Sequence, residues 1–262
     1  MLDLVQLQGE VLSWTDALGT YQLEHQQQRR DWQLGFKSSN IDPVTQIDRY
    51  SDEFLIDKIK AAYPQHSLMT EEGGFMTGDS DYLWIIDPLD GTVNYVHGLL
   101  IFAISIALLH RYETVMAVVA APGLRQNFTA IRGQGSFLNG HSIYVSKQEC
   151  LQQSLLATGF PYDRADNPDN NVAYAAHILP QVRGLRRLGS AAYDLACVAQ
   201  GVYDGYWELN LKPWDVAAGK LLVTEAGGIV QPWPGKRGEA LIAGNPDICT
   251  LLAAELCKVN ID

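Results

Sequence analysis

A chain of 262 residues that is 47% hydrophobic holds enough apolar material for one compact unit or two tightly joined halves. Its net charge of −11 argues against nonspecific nucleic-acid binding, so an anionic ligand must be drawn in by a bound cation rather than by a basic patch. The start lacks a basic signal-peptide region, the longest apolar stretch (Leu99 to Leu109) is too short to span a bilayer and reads as a buried strand, and Cys150, Cys197, Cys249 and Cys257 show no CxxC spacing; a cytoplasmic protein with reduced thiols and no membrane contact is expected.

Leu4, Leu7, Val11, Trp14, Leu18 and Tyr21 recur every three or four residues and predict an amphipathic helix, ended by the polar run from Gln26 to Arg30. A loop around Lys37 leads into Asp42-Pro43-Val44-Thr45-Gln46-Ile47-Asp48. Tyr50, Phe54, Leu55, Ile59 and Ala62 then share a helical face that Pro64 closes, which puts Asp48 at a helix N-terminus. An N-cap explains Asp48 by itself, but not Asp42 or Thr45. Ser67-Leu68-Met69 reads as a short strand running into Thr70-Glu71-Glu72-Gly73-Gly74, which is either a solvated loop or a pair of acids at a strand end.

Residues 84–95 carry the strongest signal. The apolar run Leu83 to Ile86 predicts a buried strand that stops at Asp87, because Pro88 has no N–H for the ladder. Asp90, Gly91 and Thr92 follow at once. Asp-Pro and Asp-Gly are common turn dipeptides, so an ordinary turn is one reading. The other is a cation site. Two carboxylates about 4 Å apart repel by roughly 4 kcal/mol at an effective dielectric near 20. An all-oxygen neighbourhood suits a hard divalent metal, Mg²⁺ first.

Strands at about 102–109, 114–121 and 126–131 with short turns predict an antiparallel meander. From about residue 139 the texture becomes α/β. A helix from Ser190 to Gln200, a strand from Val202 to Glu208, a helix opened by Pro213 and closed by Gly227-Gly228, strands near 229–232 and 240–243, and a last helix from Pro246 are expected. This divides the chain into an N-terminal α+β half, 1–138, and a C-terminal α/β half, 139–262. Asp215 falls in the first turn of the Pro213 helix, where a charge against the helix dipole is the plain explanation.

Five acids thus stand at strand ends and helix starts in four separate segments. Their wording resembles the inositol monophosphatase family, within the fructose-1,6-bisphosphatase-like superfamily of metal-dependent, lithium-sensitive phosphatases. The segments Trp84-Ile-Ile-Asp-Pro-Leu-Asp-Gly-Thr92 and Pro213-Trp-Asp-Val-Ala-Ala-Gly219 carry the resemblance, supported by Gly133-Gln-Gly-Ser-Phe-Leu-Asn-Gly140 and Gly189-Ser190-Ala191-Ala192. It runs from about Lys37 to about Asn245. It implies an α+β fold, a layered α-β-α-β-α sandwich, in a homodimer.

The resemblance also implies a site with two to three Mg²⁺ ions. Glu71, Asp87 and the carbonyl of Leu89 would hold one; Asp87, Asp90 and Asp215 would hold a second; Glu71 and waters would hold a weaker third. Asp48 and Thr92 match the pair that orients and deprotonates a metal-activated water. Gly91 and Thr92 match phosphate contacts through their N–H groups. Gly189, Ser190, Ala191 and Glu208 match substrate contacts, Glu208 accepting hydrogen bonds from polyol hydroxyls or else being a strand-end charge. Asp42 would support the catalytic loop; Asn94, His97 and Lys37 read as loop or outer residues. Arg186 and Arg187 could approach the mouth or an oligomer contact.

The implied activity is hydrolysis of myo-inositol monophosphate. The same chemistry on histidinol phosphate, fructose-1,6-bisphosphate, NADP(H) or 3′-phosphoadenosine 5′-phosphate is the alternative. A regulatory binding protein is the alternative of another class, since some bacterial relatives act on transcription complexes. Thr70, Val93, Tyr95 and Lys212 depart from the familiar pattern and bear on the identity of the alcohol.

Overall fold

The computed structural model describes residues 2–28, 35–36, 43–235 and 237–259. Lys37 and Asp42 lie outside the described residues. The elements stack as helix pair, sheet, helix pair, sheet, helix pair: the α-β-α-β-α sandwich expected, in an α+β protein.

The first layer is α1 (Leu4–Gln26) with α2 (Gln46–Ala62). Asp3 caps α1 by accepting hydrogen bonds from the N–H groups of Val5 and Gln6. Leu7, Val11 and Leu18 of α1, with Leu55 and Ile59 of α2, are buried against the outer face of the first sheet. Two residue pairs, β1 (Gly35–Phe36) and β2 (Pro43–Val44), form a small ribbon just before α2.

The first sheet comprises β3 (Ser67–Thr70), β4 (Gly74–Met76), β5 (Tyr82–Asp90), β6 (Ala103–His110), β7 (Glu113–Ala121), β8 (Gln126–Ile131), β9 (Ser136–Leu138) and β10 (His141–Ile143). Its order is β10-β9-β8-β7-β6-β5-β3-β4. The meander is there in β6 to β8; only the β3–β5 pair is parallel. The strand alternation sorts the core. Ile104, Ile106, Leu108, Met116 and Val118 face α1 and α2, whereas Ala103, Ala107, Ala117, Val119 and Ala121 face inward. The small inner side chains leave room for the buried middle layer, α5 (Ala191–Ala199) and α6 (Pro213–Glu225).

The second sheet holds β11 (Leu155–Thr158), β12 (Gly184–Arg186), β13 (Gly205–Leu211), β14 (Ile229–Pro232) and β15 (Glu239–Gly244), in the order β12-β11-β13-β15-β14. Its far face is covered by α4 (Val172–Ile178) and α7 (Pro246–Leu256) around Trp207, Ile242, Ile248 and Leu252. Among the described residues no helix is long and apolar enough to cross a membrane. All four cysteines are free thiols.

Three local expectations are corrected. Pro88 does not end its strand: β5 continues to Asp90 with a slip in register between Asp87 and Asp90, so the proline sits in a bulge where no ladder donor is needed. Leu99 and Leu100 are exposed, and their strand begins only at Ala103. Residues 202–204 are loop, and β13 runs on past Glu208 to Leu211.

Candidate active site

Strand ends and helix starts meet at one edge of the middle layer. The parallel strands β3 and β5 finish side by side, and the pairing extends one step as the Glu71 N–H donates to the Ile86 carbonyl at 3.3 Å. Glu71 and Asp87 are thereby delivered to the same place. The bulge turns the chain, and the Asp87 carboxylate Oδ1 accepts the Leu89 N–H at 3.0 Å. Gly91 follows at φ 97°, with the carbonyls of Ile101 and Gly189 3.2 and 3.3 Å from the position of a Cβ, so a side chain there would be strained and tightly packed. It caps α3 (Thr92–His97). Asn94, buried rather than in a loop, donates from Nδ2 to the Ile101 and Leu188 carbonyls and fastens this turn to the chain before α5.

Behind α3 stands Asp48. Thr45, not Asp48, is the N-cap of α2; Asp48 is the third helical residue, and the two close a capping box in which Asp48 Oδ2 accepts the N–H and hydroxyl of Thr45. Asp48 Oδ1 accepts the Thr92 hydroxyl at 2.8 Å. The pair is buried, and only Thr92 lines the cavity.

A cavity of about 110 Å³ opens in front of Thr92. It is lined by Glu71, Asp87, Leu89, Asp90 and Gly91 together with Gly189, Ser190, Ala191, Glu208 and Asp215. A groove of about 450 Å³ continues outward past Tyr162, Lys212 and Trp214. The Asp90 carboxylate Oδ2 accepts both the Ser190 hydroxyl and the Ala192 N–H at 2.7 Å, tying β5 to the start of α5. Asp215 Oδ2 accepts the Lys212 N–H at 2.7 Å in the first turn of α6.

These acids are crowded. Burial pushes the Asp90 carboxyl up to about 6, against the opposing pull of Ser190 and Ala192. Asp215 is driven well above the carboxylate range by burial first, then by Asp90 and Glu71. Burial raises Glu208 to about 7, offset in part by the Tyr206 hydroxyl that it accepts. Crowded, desolvated carboxylates are relieved by a cation, and the donor set is all oxygen, so the residues fit a hard divalent ion by chemistry. Among the described residues no three acids, histidines or cysteines are arranged to hold a metal as they stand. The carboxylate oxygens of Asp87, Asp90 and Asp215 named above are turned onto protein donors, with which an ion must compete.

Of the twelve site candidates in the sequence, eleven line the cavity; Asp48 touches it through Thr92. Two further charged residues line the cavity: Arg187, which the sequence offers for the mouth or an oligomer contact, and Asp194, which no motif announces. Arg187 lines the mouth and holds down the acids around it. Asp194 is 1% exposed in the first turn of α5. A carboxylate inside an otherwise apolar helix is itself a signal, since an acid is rarely fully buried without a partner.

The inositol monophosphatase family model matches residues 13–259. Nus factor SuhB of Pseudomonas aeruginosa is 45% identical over 214 residues, covering 78% of this chain and 79% of the relative. Nus factor SuhB of Escherichia coli is 43% identical over 225 residues, 84% of each chain. The crystal structure of extragenic suppressor protein suhB from Bartonella henselae superposes with a TM-score of 0.90 at 34% identity, covering 97% of this chain and 99% of that one. The inositol monophosphatase of Anabaena gives 0.83 at 37% identity, covering 98% of both.

Proposed function

This chain belongs to the inositol monophosphatase family, and we propose that it is a Mg²⁺-dependent phosphomonoesterase that hydrolyses myo-inositol monophosphate to inositol and phosphate. The observation that carries this reading is the convergence of Glu71, Asp87, Asp90 and Asp215 on one cavity in front of the Asp48–Thr92 hydrogen bond.

Glu71, Asp87 and the Leu89 carbonyl would hold one ion, Asp87, Asp90 and Asp215 a second, and Glu71 a weaker third. When bound, magnesium binds phosphate oxygens, acidifies water and stabilises the leaving alkoxide. The protein's part is positioning and proton transfer. Thr92 gives its hydroxyl proton to Asp48 Oδ1, which leaves the Thr92 oxygen free to accept a proton from a water in the cavity. Asp48 Oδ2 is fixed by Thr45, so the carboxylate cannot swing away. The N–H groups of Gly91 and Thr92 would contact phosphate. Glu208, beside Gly189, Ser190 and Ala191, would accept hydroxyls of the alcohol.

Phosphate release from inositol 1-phosphate with Mg²⁺ tests the reading, beside histidinol phosphate, fructose-1,6-bisphosphate, NADP(H) and 3′-phosphoadenosine 5′-phosphate. Release that is fastest from the inositol ester and abolished by chelation is expected; no release from any ester overturns it. Falling turnover in tens of millimolar Li⁺ is expected as well. The same reading takes the protein as a cytoplasmic homodimer. A second reading rests on the names of the relatives, which are Nus factors. A regulatory binding role alongside hydrolysis follows from it, and the expectation of no nucleic-acid contact is not carried forward. An Asp90→Asn variant that is catalytically dead yet keeps regulation in cells would separate the two.

A further inference from the structure

The buried face of α1 changes character along its length. Leu7, Val11 and Leu18 are apolar, and the same stripe continues at four-residue steps into Gln22 and Gln26, which are 0% and 5% exposed. Glutamine is seldom buried so completely unless it serves buried polar groups. Each of these two serves a pair of acceptors. Gln22 Nε2 donates to the Ser51 hydroxyl at 3.1 Å and to the Pro88 carbonyl at 2.9 Å. Gln26 Nε2 donates to the carbonyls of Tyr95 and Leu99 at 3.1 and 3.0 Å.

Pro88 lies in the bulge of β5, where the register with β6 skips from Asp87 to Asp90. The other end of the same peptide unit is the Leu89 N–H, which donates to Asp87 Oδ1 at 3.0 Å. A trans peptide is planar, with its C=O and N–H pointing opposite ways. A grip on the carbonyl from behind therefore sets the direction of the N–H in front. Hydrogen bonds in such a chain polarise one another, so the Gln22 donor also makes the Leu89 N–H a better one. The carboxylate, with about four lone-pair sites, spends one on this N–H. Gln22 reaches the Asp48–Thr92 pair as well. Ser51 stands one turn after Asp48 on α2, and the Gln22 carbonyl accepts the Tyr95 hydroxyl of α3, the helix that Thr92 opens, at 2.6 Å.

We propose that Gln22 is a positioning residue for the cation: through the Pro88–Leu89 peptide it fixes how Asp87 presents its carboxylate, and so sets Mg²⁺ affinity from outside the cavity lining. This deepens the phosphatase reading and rests on it. A metal ligand keeps its aim only while its own hydrogen-bond partners are held. Here that chain of support runs from α1, through one backbone peptide, to the acid at the bulge.

Gln22→Met keeps the length of the side chain and removes the donor. Gln26→Met does the same one turn further along α1 without touching the Pro88–Leu89 peptide, and it controls for general damage. Both should lower the melting temperature. In calorimetric titration with MgCl₂, Gln22→Met should bind about tenfold more weakly than wild type, the scale for losing an outer partner of a metal ligand. Gln26→Met should change by less than about twofold. In the metal-free protein the Leu89 amide should exchange faster with deuterium in Gln22→Met, and at the wild-type rate in Gln26→Met. Unchanged Mg²⁺ affinity in Gln22→Met, or an equal loss in both variants, overturns the positioning role. Should Gln22→Met fail to fold, the wild type carries the test: Mg²⁺ should shift the NMR resonances of the Gln22 side-chain amide, and unmoved resonances overturn the link. A wild type that binds no Mg²⁺ defeats the phosphatase reading alone. Leu89 exchange then still reads the brace, a faster rate in Gln22→Met being expected and an unchanged one overturning it.

Discussion

The two sides of the cavity are finished differently. On the side of Asp87, Asp90 and Asp215, each acid has a carboxylate oxygen seated on a backbone N–H: Leu89, Ala192 and Lys212 respectively. On the side of α5 and β13, Asp194 Oδ1 has no donor among the described residues, and the Tyr206 phenol holds Glu208 over a bare glycine. The first side is braced to keep negative charge together at strand and helix ends. The second keeps acceptor capacity in reserve. Charge that must be compensated by an ion needs a fixed frame, whereas selection among alcohols needs unfilled hydrogen bonds.

The largest effect should follow from breaking the braced side. Asp90→Asn removes a carboxylate charge while keeping the shape that Ser190 and Ala192 grip. We expect turnover of inositol 1-phosphate to fall about a thousandfold, equivalent to about 4 kcal/mol of barrier, with little change in melting temperature. Equal turnover would take Asp90 out of the mechanism. Thr92→Val, which cuts the proton path to Asp48, should cost about a hundredfold or more, and Thr92→Ser should recover most of it. Valine and serine variants of equal rate would leave the Asp48–Thr92 bond a mere fold contact.

The reserved side predicts a smaller and more selective loss. In Gly159→Ala the new Cβ collides with the Glu208 carboxylate and displaces it. KM for the inositol ester should rise about tenfold, the scale of one hydrogen bond to a charged group. The rate on 4-nitrophenyl phosphate should hold. Equal losses on both substrates would show that the two sides are not separable and that Glu208 also supports the metal side.

The same contrast explains what the chain reveals before it is folded. Asp87, Asp90, Thr92 and Asp215 sit in contiguous wording where a bulge, a proline or a helix start fixes them within a few residues, so local rules place them. The layers are legible for a similar reason: β6 alternates small and large residues from Ala103 to Leu108, and the Pro213 helix is bracketed by its own start and stop signals. Asp194, Gly159 and Arg187 acquire their meaning from neighbours 14 to 49 positions away, Glu208 above all. No local pattern encodes that an α5 acid will meet a β13 acid. The boundary errors are local too. Pro88 signals a stop because a ladder lacks a use for proline, and the bulge that accommodates it depends on pairing with β6.

The last and smallest effect concerns an acid set back from both sides. Asp52 is buried one turn beyond Asp48, accepts the Thr70 hydroxyl through Oδ2 at 3.0 Å and has no hydrogen-bond partner at Oδ1 among the described residues. Burial pushes its carboxyl up to about 6. The fold therefore prefers the protonated form: that stabilisation is complete below the ordinary carboxylate range near 4 and is lost as pH rises through about 6. Asp52→Asn should raise stability at about pH 8 by about 1–2 kcal/mol and change little at about pH 4. Asp90, also raised to about 6, carries the same sign, but there a bound cation favours the ionised form. Mg²⁺ should thus cancel the part of the alkaline loss that comes from the cavity and leave the part that comes from Asp52. Chemical denaturation across this pH range, with Mg²⁺ and with a chelator, reads both. A metal-free protein that grows more stable from pH 4 to 8 would contradict the sign for every acid named here, and a magnesium effect that disappears in Asp52→Asn would move the ion away from the cavity.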